Sequence, residues 1–372
     1  MAPVSSSVRN EIPGAIIKIN SQAYEPVFRP DHHRTLTDRL LLTTVAGAAD
    51  LLADDLRSTR AGRITTVSDD GVVCDFRGKI NDLQDLDTCR SIGIVLDSAA
   101  TWIPDLSAVF SSLQQGILSA TEDAEPVRFR VDVPTAHQRE AVVAAIRDQN
   151  GWSNDPTDWQ LNLVRRRDLW IAEVGSLHYS RRMDRLRRLP WSSNPVLAAI
   201  LIRLAKITDD QSVHDPFCGT GTLLIAARRA NASVRLSGSD HDHLAAGLAR
   251  ANLSDHDASA DLRQADAIPF PHPDRTLDRV VSNLPFGKQV GNHSVNTALY
   301  PAVVGELART LSRGGRAVLL TEDKRLLLDS VARTAGIKII RERLLRYGGA
   351  TPTAYVITRT RPAGRRAVRK PS

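Results

Sequence analysis

One span in the second half of the chain constrains the fold more than any other. There Ser212-Val213-His214 leads into Asp215-Pro216-Phe217-Cys218-Gly219-Thr220-Gly221-Thr222 and on into the apolar stretch 222–230. Glycines at 219 and 221 remove side chains where the backbone must turn sharply, and they let a ligand approach the amino terminus of the following helix. The surrounding rhythm agrees: helix over 196–206, strand over 212–214, glycine turn, helix over 222–230, strand over 236–239. Alternation of this kind predicts an α/β domain with a doubly wound, mostly parallel sheet and helices on both faces. A P-loop would need lysine after the glycines, where Thr222 and Leu223 stand, and the dinucleotide fingerprint would need glycine at 224, which is Leu224. On the loop alone, a tight turn without a ligand stays open.

Three acids follow in order at predicted strand ends. Asp215 is placed to accept hydrogen bonds from a ligand ammonium group, and Asp240 closes the next strand, where a carboxylate can bridge two ribose hydroxyls. Asp266, in Gln264-Ala265-Asp266-Ala267, is placed to read an adenine amino group. Singly each is an ordinary surface residue; in series they favour an adenosyl ligand. A fourth element, Val280-Val281-Ser282-Asn283-Leu284-Pro285-Phe286-Gly287, is an apolar strand ending in a polar-proline-aromatic turn. It resembles the Asn/Asp-Pro-Pro-Tyr/Phe tetrad of methyltransferases acting on base amino groups, with Leu284 where proline is commoner. An exocyclic base nitrogen is a poor nucleophile because its lone pair is delocalised, so its hydrogens need acceptors that hold it in line. The resemblance implies that the Asn283 side-chain oxygen and the Leu284 carbonyl supply them. It also implies that Phe286 stacks on an extruded base, contributing about 1–3 kcal/mol.

Composition bounds the rest. A chain of 372 residues exceeds what one core usually absorbs, so two or three domains are expected. No apolar run approaches the roughly 20 residues that span a bilayer, and the first residues lack a secretory stretch, so a soluble, cytoplasmic chain is expected. Cys74, Cys89 and Cys218 match neither a disulfide framework nor a zinc spacing, and no metal is expected. Charge is uneven: residues 1–180 hold 18 Lys and Arg against 25 Asp and Glu, whereas the whole chain holds 49 against 42. The basic excess therefore lies in the second half, in Arg181, Arg182, Arg187, Arg188 and a basic tail, which suits a polyanionic partner or a solvated basic face.

Upstream, the spacing of Leu41, Val45, Ala48, Leu52 and Leu56 predicts a helix over 40–56, then a strand pair over 63–67 and 71–77, a short helix over 82–89 and a strand over 92–96. A second α+β unit reads as a strand over 127–133, a helix over 138–148, and a hairpin of 159–164 with 169–174. The arginine-rich, proline-broken stretch before Pro195 marks a domain boundary.

Taken in order, DPFCGTGTLLIAA, SGSD, QADA and NLPFGK resemble the THUMP-containing tRNA guanine-N2 methyltransferases. The resemblance implies a Rossmann-like S-adenosylmethionine-dependent domain over 196–360, preceded by a ferredoxin-like domain over 1–110, a reduced THUMP-like RNA-binding domain over 111–178 and a linker over 179–195, with a basic tail over 361–372. It implies catalysis by Asn283, Leu284, Pro285 and Phe286. Cofactor contacts would come from Ser193, Asn194, Asp215, Phe217, Gly219, Gly221, Thr222, Asp240, His241, Asp266, Ala267 and Asn283. tRNA contacts would come from Arg128, Arg130, Arg165, Arg166, Arg167, Arg181, Arg182 and Lys288. A guanosine in the acceptor stem or its junction, such as position 6 or 10, is the expected target of a monomeric enzyme. An rRNA guanine, an adenine N6 or a catalytically silent RNA-binding role are the rivals.

Overall fold

In the computed structural model, which describes residues 29–30, 35–96, 102–114, 118–119, 126–166, 169–183, 186–285 and 293–360, the chain builds two large sheets. The amino-terminal sheet contains β1 (Thr35–Thr43), β2 (Gly62–Val67), β3 (Gly71–Lys79), β4 (Ser91–Leu96), β5 (Arg128–Asp132), β6 (Leu161–Arg166) and β7 (Leu169–Val174). Their order is β2-β3-β1-β4-β7-β6-β5, with Ser153–Asn154 on the far edge. The two α+β units thus share one sheet, joined where β4 pairs antiparallel with β7 from Gly93 opposite Glu173 to Leu96 opposite Trp170. Beside that seam the buried Glu173 carboxyl group accepts from Ser91 Oγ and Asn162 Nδ2, both at 2.6 Å, so a polar group inside the sheet keeps hydrogen-bond partners. Helices α1 (Ala49–Thr59) and α2 (Ala136–Asn150) cover one face through Leu52, Leu56, Val142 and Ile146.

The helix predicted from residue 40 starts only at Ala49, because residues 40–43 belong to β1. Leu40 and Leu42 enter the main core, while Leu41 packs on the opposite face with Val95 and Ile171. With all three buried, period-two alternation leaves no polar mark in the sequence, and the apolar spacing reads as helical. Of the helix predicted over 82–89, only Asn81–Gln84 forms.

The carboxy-terminal sheet contains β8 (Ser212–Asp215), β9 (Arg235–Asp240), β10 (Ala260–Gln264), β11 (Leu277–Asn283), β12 (Leu311–Thr321), β13 (Ile337–Leu344) and β14 (Thr353–Arg359), in the order β10-β9-β8-β11-β12-β14-β13. The five strands from β10 to β12 run parallel, and β14 runs antiparallel to both neighbours. Central strands divide their apolar residues between two cores. Val281, Val318, Leu320, Ala354 and Val356 face α3 (Pro195–Ala205) and α4 (Thr222–Ala230), whereas Val280, Ala317, Leu319, Tyr355 and Ile357 face α5 (His293–Thr310) and α6 (Lys324–Arg333). This is the doubly wound, Rossmann-like layer that the sequence predicts. Strand order reverses between β8 and β11, and a ligand crevice in such sheets opens at the carboxyl ends flanking the reversal. Asp215 ends one of these strands and Asn283 the other.

The sheets are locked together. Val45, Ala48 and Leu51 belong to the same core as Val196, Ile200, Met183 and Leu186, so residues expected to be a linker are packed between the domains. Around this apolar contact Arg343 meets Asp50 at 2.6 Å, Arg203 meets Asp55 at 2.7 Å and Arg229 meets Asp87 at 2.7 Å. Partly exposed pairs of this kind each add little, so apolar burial carries the interface. Among the described residues no helix is long and apolar enough to cross a membrane.

Candidate active site

The glycine loop is held by the strand beside it. Gly219 has φ 53° and Gly221, the cap residue of α4, has φ 82°, conformations that a side chain disfavours. Gly219 N donates to Asp240 Oδ2 at 2.8 Å, and Asp242 N donates to Asp240 Oδ1 at 3.0 Å. The Asp240 carboxylate therefore fixes the loop while each oxygen keeps a second lone pair for a ligand hydroxyl. At the foot of the same loop Asp215 is buried, and its Oδ1 accepts from Ser282 Oγ at 2.6 Å and Phe217 N at 3.1 Å. Its Oδ2 is buried without a partner, as is Thr222 Oγ1. Burial pushes the Asp215 carboxyl up to about 7.

Opposite the loop, Asn283 Nδ2 donates to Ser193 Oγ at 3.2 Å, and Asn283 Oδ1 is buried with no hydrogen-bond partner. The turn after it is clamped from α5: the Pro285 carbonyl accepts from Asn296 Nδ2 at 2.9 Å and from Tyr300 Oη at 3.0 Å. Tyr300 Oη is itself paired with Thr321 Oγ1 at 2.8 Å. The tetrad backbone is thereby set by helix and strand packing, which suits a site whose task is orientation.

These elements enclose a cavity of about 800 Å³, within the range of small-molecule sites. Ser193, Phe217, Gly219, Thr222, Asp240, His241, Asp266, Ala267, Asn283, Leu284 and Pro285 all line it, so eleven residues named from sequence meet in one space. Asp215, Gly221 and Asn194 stand outside the lining. Asn194 caps α3, its Oδ1 accepting from Val196 N at 2.9 Å and Leu197 N at 3.2 Å while its Nδ2 donates to Tyr347 Oη at 3.0 Å. Its side chain is thus used in holding the helix. Phe286 and Lys288 lie outside the described residues. Sequence reasoning missed Trp191, Cys218 and Asn296, which also line the cavity.

The arginines named for RNA fall into separate groups. The Arg130 and Arg181 guanidiniums lie 4.3 and 4.8 Å from the Trp159 ring, and Arg128 pairs with Asp158 at 3.1 Å beside it. Burial, and after it the cations of Arg90, Arg130, Arg181 and Arg182, hold the His178 imidazole down to about 3. Arg165 sits 4.4 Å over Trp102, an exposed ring, and Arg166 reaches Asp70 at 2.8 Å. Arg182 donates to the carbonyls of Gln84, Leu86 and Cys89; that guanidinium ties the domains together and is taken out of the expected RNA surface. Arg167 lies outside the described residues.

Comparison with known proteins bears on the same region. Residues 182–352 match the family described as RMKL-like, methyltransferase domain (UPF0020). The chain is 25% identical over 274 residues to the tRNA (guanine(6)-N(2))-methyltransferase THUMP3 of Mus musculus, covering 66% of this chain and 54% of that one. It is 32% identical over 168 residues to the tRNA (guanine(6)-N2)-methyltransferase of Thermus thermophilus, covering 45% and 50%. The chain thus spans about half the length of these curated relatives. Its fold is that of the crystal structure of TrmN from Thermus thermophilus, with TM-score 0.69 over 87% of this chain and 99% of that one at 24% identity.

Proposed function

From the match of residues 182–352 to the RMKL-like methyltransferase-domain family, we propose that this chain uses S-adenosylmethionine to methylate the exocyclic N2 of a guanosine in tRNA. The observation that carries this reading is Asn283 Oδ1, a buried acceptor without a partner in the wall of the cavity shared with Asp240 and Gly219. An acceptor left in that state is costly, and a ligand amino group relieves it. The site also fits the cofactor: Asp240 has lone pairs to spare and Gly219 has no side chain to block approach, while Asp215, behind the lining at the foot of the loop, keeps an unpartnered Oδ2.

In this reading Asp215 holds the ammonium group, Asp240 the ribose hydroxyls, and Asp266 with Ala267 the adenine. When bound, the cofactor supplies an electrophilic methyl on a sulfonium that is its own leaving group. Asn283 then accepts from the base amino group, with the Leu284 carbonyl as its partner, and turns the nitrogen toward the methyl carbon; the amino proton leaves to solvent. Orientation carries most of the acceleration. Phe286 would stack on the extruded base. The amino-terminal sheet, read as ferredoxin-like and THUMP-like, would grip the RNA through Arg128, Arg130, Arg165, Arg166, Arg167 and Arg181, with Lys288 as a further RNA contact. Position 6 is the favoured target, since the two relatives compared above, among the curated matches, are named for guanine 6. The reading takes the chain as a cytoplasmic monomer.

Mass spectrometry of nucleosides from tRNA incubated with the chain and labelled S-adenosylmethionine tests this reading. N2-methylguanosine is expected; N6-methyladenosine, or no methylated product, overturns it.

Asp215 makes the reaction's first step sensitive to pH. A carboxyl whose folded value is raised to about 7 is neutral in the empty site at lower pH, whereas a ligand ammonium selects the carboxylate. Cofactor binding should release a proton, and affinity should rise by up to about tenfold per pH unit below about 7 and then level off. The empty chain should behave oppositely, losing stability as pH climbs from about 4 to about 7, because the folded state must then ionise a buried acid. Calorimetry across that range checks both slopes, and Asp215→Asn should flatten them; an unchanged slope in that variant excludes Asp215 as the source.

A further inference from the structure

A second side chain in the cavity wall carries the same signature as Asn283, and nothing in the tetrad pattern accounts for it. Asn296, in α5, is 1% exposed and lines the cavity. Its Nδ2 donates to the Pro285 carbonyl at 2.9 Å. A carbonyl can only accept, so the amide orientation is set: the nitrogen faces Pro285 and Oδ1 faces away. That oxygen is buried and has no partner. Two residues that line the cavity, Asn283 and Asn296, thus each hold a buried amide oxygen with no hydrogen-bond partner among the described residues. Polar atoms are seldom left so in a folded chain, and unpartnered acceptors on two residues of one cavity suit a ligand with more than one donor.

Among the bases with an exocyclic amino group, guanine has this edge, because its ring N1–H stands next to its amino group. Adenine and cytosine each set the amino group beside a bare ring nitrogen, an acceptor that would face a second carbonyl oxygen with no proton between them. We propose that Asn296 is a specificity-determining residue that accepts the guanine N1–H while Asn283 accepts from the amino group, so that the pair selects guanine over adenine and cytosine. This rests on the methyl-transfer reading above and adds to it the residue that chooses the base. Tyr300 also donates to the Pro285 carbonyl, so the turn keeps one clamp when Asn296 is removed.

The test pairs a change in the enzyme with a change in the substrate. RNA carrying 2-aminopurine at the target nucleotide keeps the amino group but has no N1–H. The unaltered chain should prefer guanosine to 2-aminopurine by on the order of tenfold to hundredfold in kcat/KM. In Asn296→Ala, guanosine methylation should fall by a similar factor, and the preference should shrink to within about threefold of the residual that loss of the guanine O6 leaves. If both substrates slow equally and the full preference survives, Asn296 only braces the turn and the proposal is overturned. No preference in the unaltered chain overturns it without reference to any variant. Failure of the unaltered chain to make N2-methylguanosine at all is a distinct result that overturns the functional reading and this proposal together.

Discussion

Replacing Asn283 with alanine should lower turnover by about 10²-fold or more while leaving S-adenosylmethionine affinity within about threefold. The substitution removes the unpartnered Oδ1 that is proposed to hold the base amino group. It also removes the bond to Ser193 Oγ, but the loop that is proposed to hold the cofactor stays intact, because Gly219 is tied to Asp240 and Asp215 to Ser282. An interaction made only as the nitrogen approaches the methyl carbon should appear in turnover and not in cofactor binding. Single-turnover kinetics with saturating RNA, alongside calorimetry of the cofactor, separates the two. Tenfold weaker cofactor binding with unchanged turnover would contradict the role given to Asn283.

Gly47→Ala should destabilise the chain by about 3 kcal/mol or more. Gly47 has φ 94°, and a Cβ there would stand 2.2 Å from the Leu344 carbonyl oxygen. The surrounding segment is where the two sheets dock: Ala46 bridges to Arg346, Arg343 donates to the Gly47 carbonyl, and Val45 and Ala48 enter the carboxy-terminal core. Backbone, unlike the end of a flexible side chain, cannot move aside cheaply. The effect should appear as a melting temperature several degrees lower and a fall in methylation of intact tRNA larger than any loss of cofactor binding. A melting temperature within about a degree of the parent chain would show that the seam tolerates the side chain. The same packing makes removal of residues 1–175 a poor test of RNA docking, since the cut would uncover the apolar face that Val45, Ala48 and Leu51 cover.

How far the sequence could be read depended on whether a feature was local. The glycine loop, Asp240 and the turn at 283–285 were legible because strand, turn and helix chemistry are written in adjacent residues, and the parallel sheet then brings the strand ends together. Asn296 was not legible: an asparagine in a helix has no local mark, and its meaning comes from the Pro285 carbonyl it holds and the oxygen it leaves over. Leu40 and Leu42 misled because burial on both faces erases the polar alternation that identifies a strand. Arg182 misled for a related reason. Formal charge cannot distinguish a guanidinium facing solvent from one closing on the carbonyls of Gln84 and Leu86. Asn194 was named for the cofactor, and its position one residue before a proline at the start of α3 was the available sign that it caps a helix.

The central claim is that the cavity at the carboxyl ends of β8 and β11 receives an adenosyl cofactor with its methyl-bearing end toward Asn283. A crystal structure of the full chain grown with S-adenosylhomocysteine tests it most directly. Ribose hydroxyls on Asp240, adenine beside Asp266 and the sulfur facing Asn283 are the predicted result. Clear density for that cavity without the cofactor, or with it bound in a different crevice, would contradict the account.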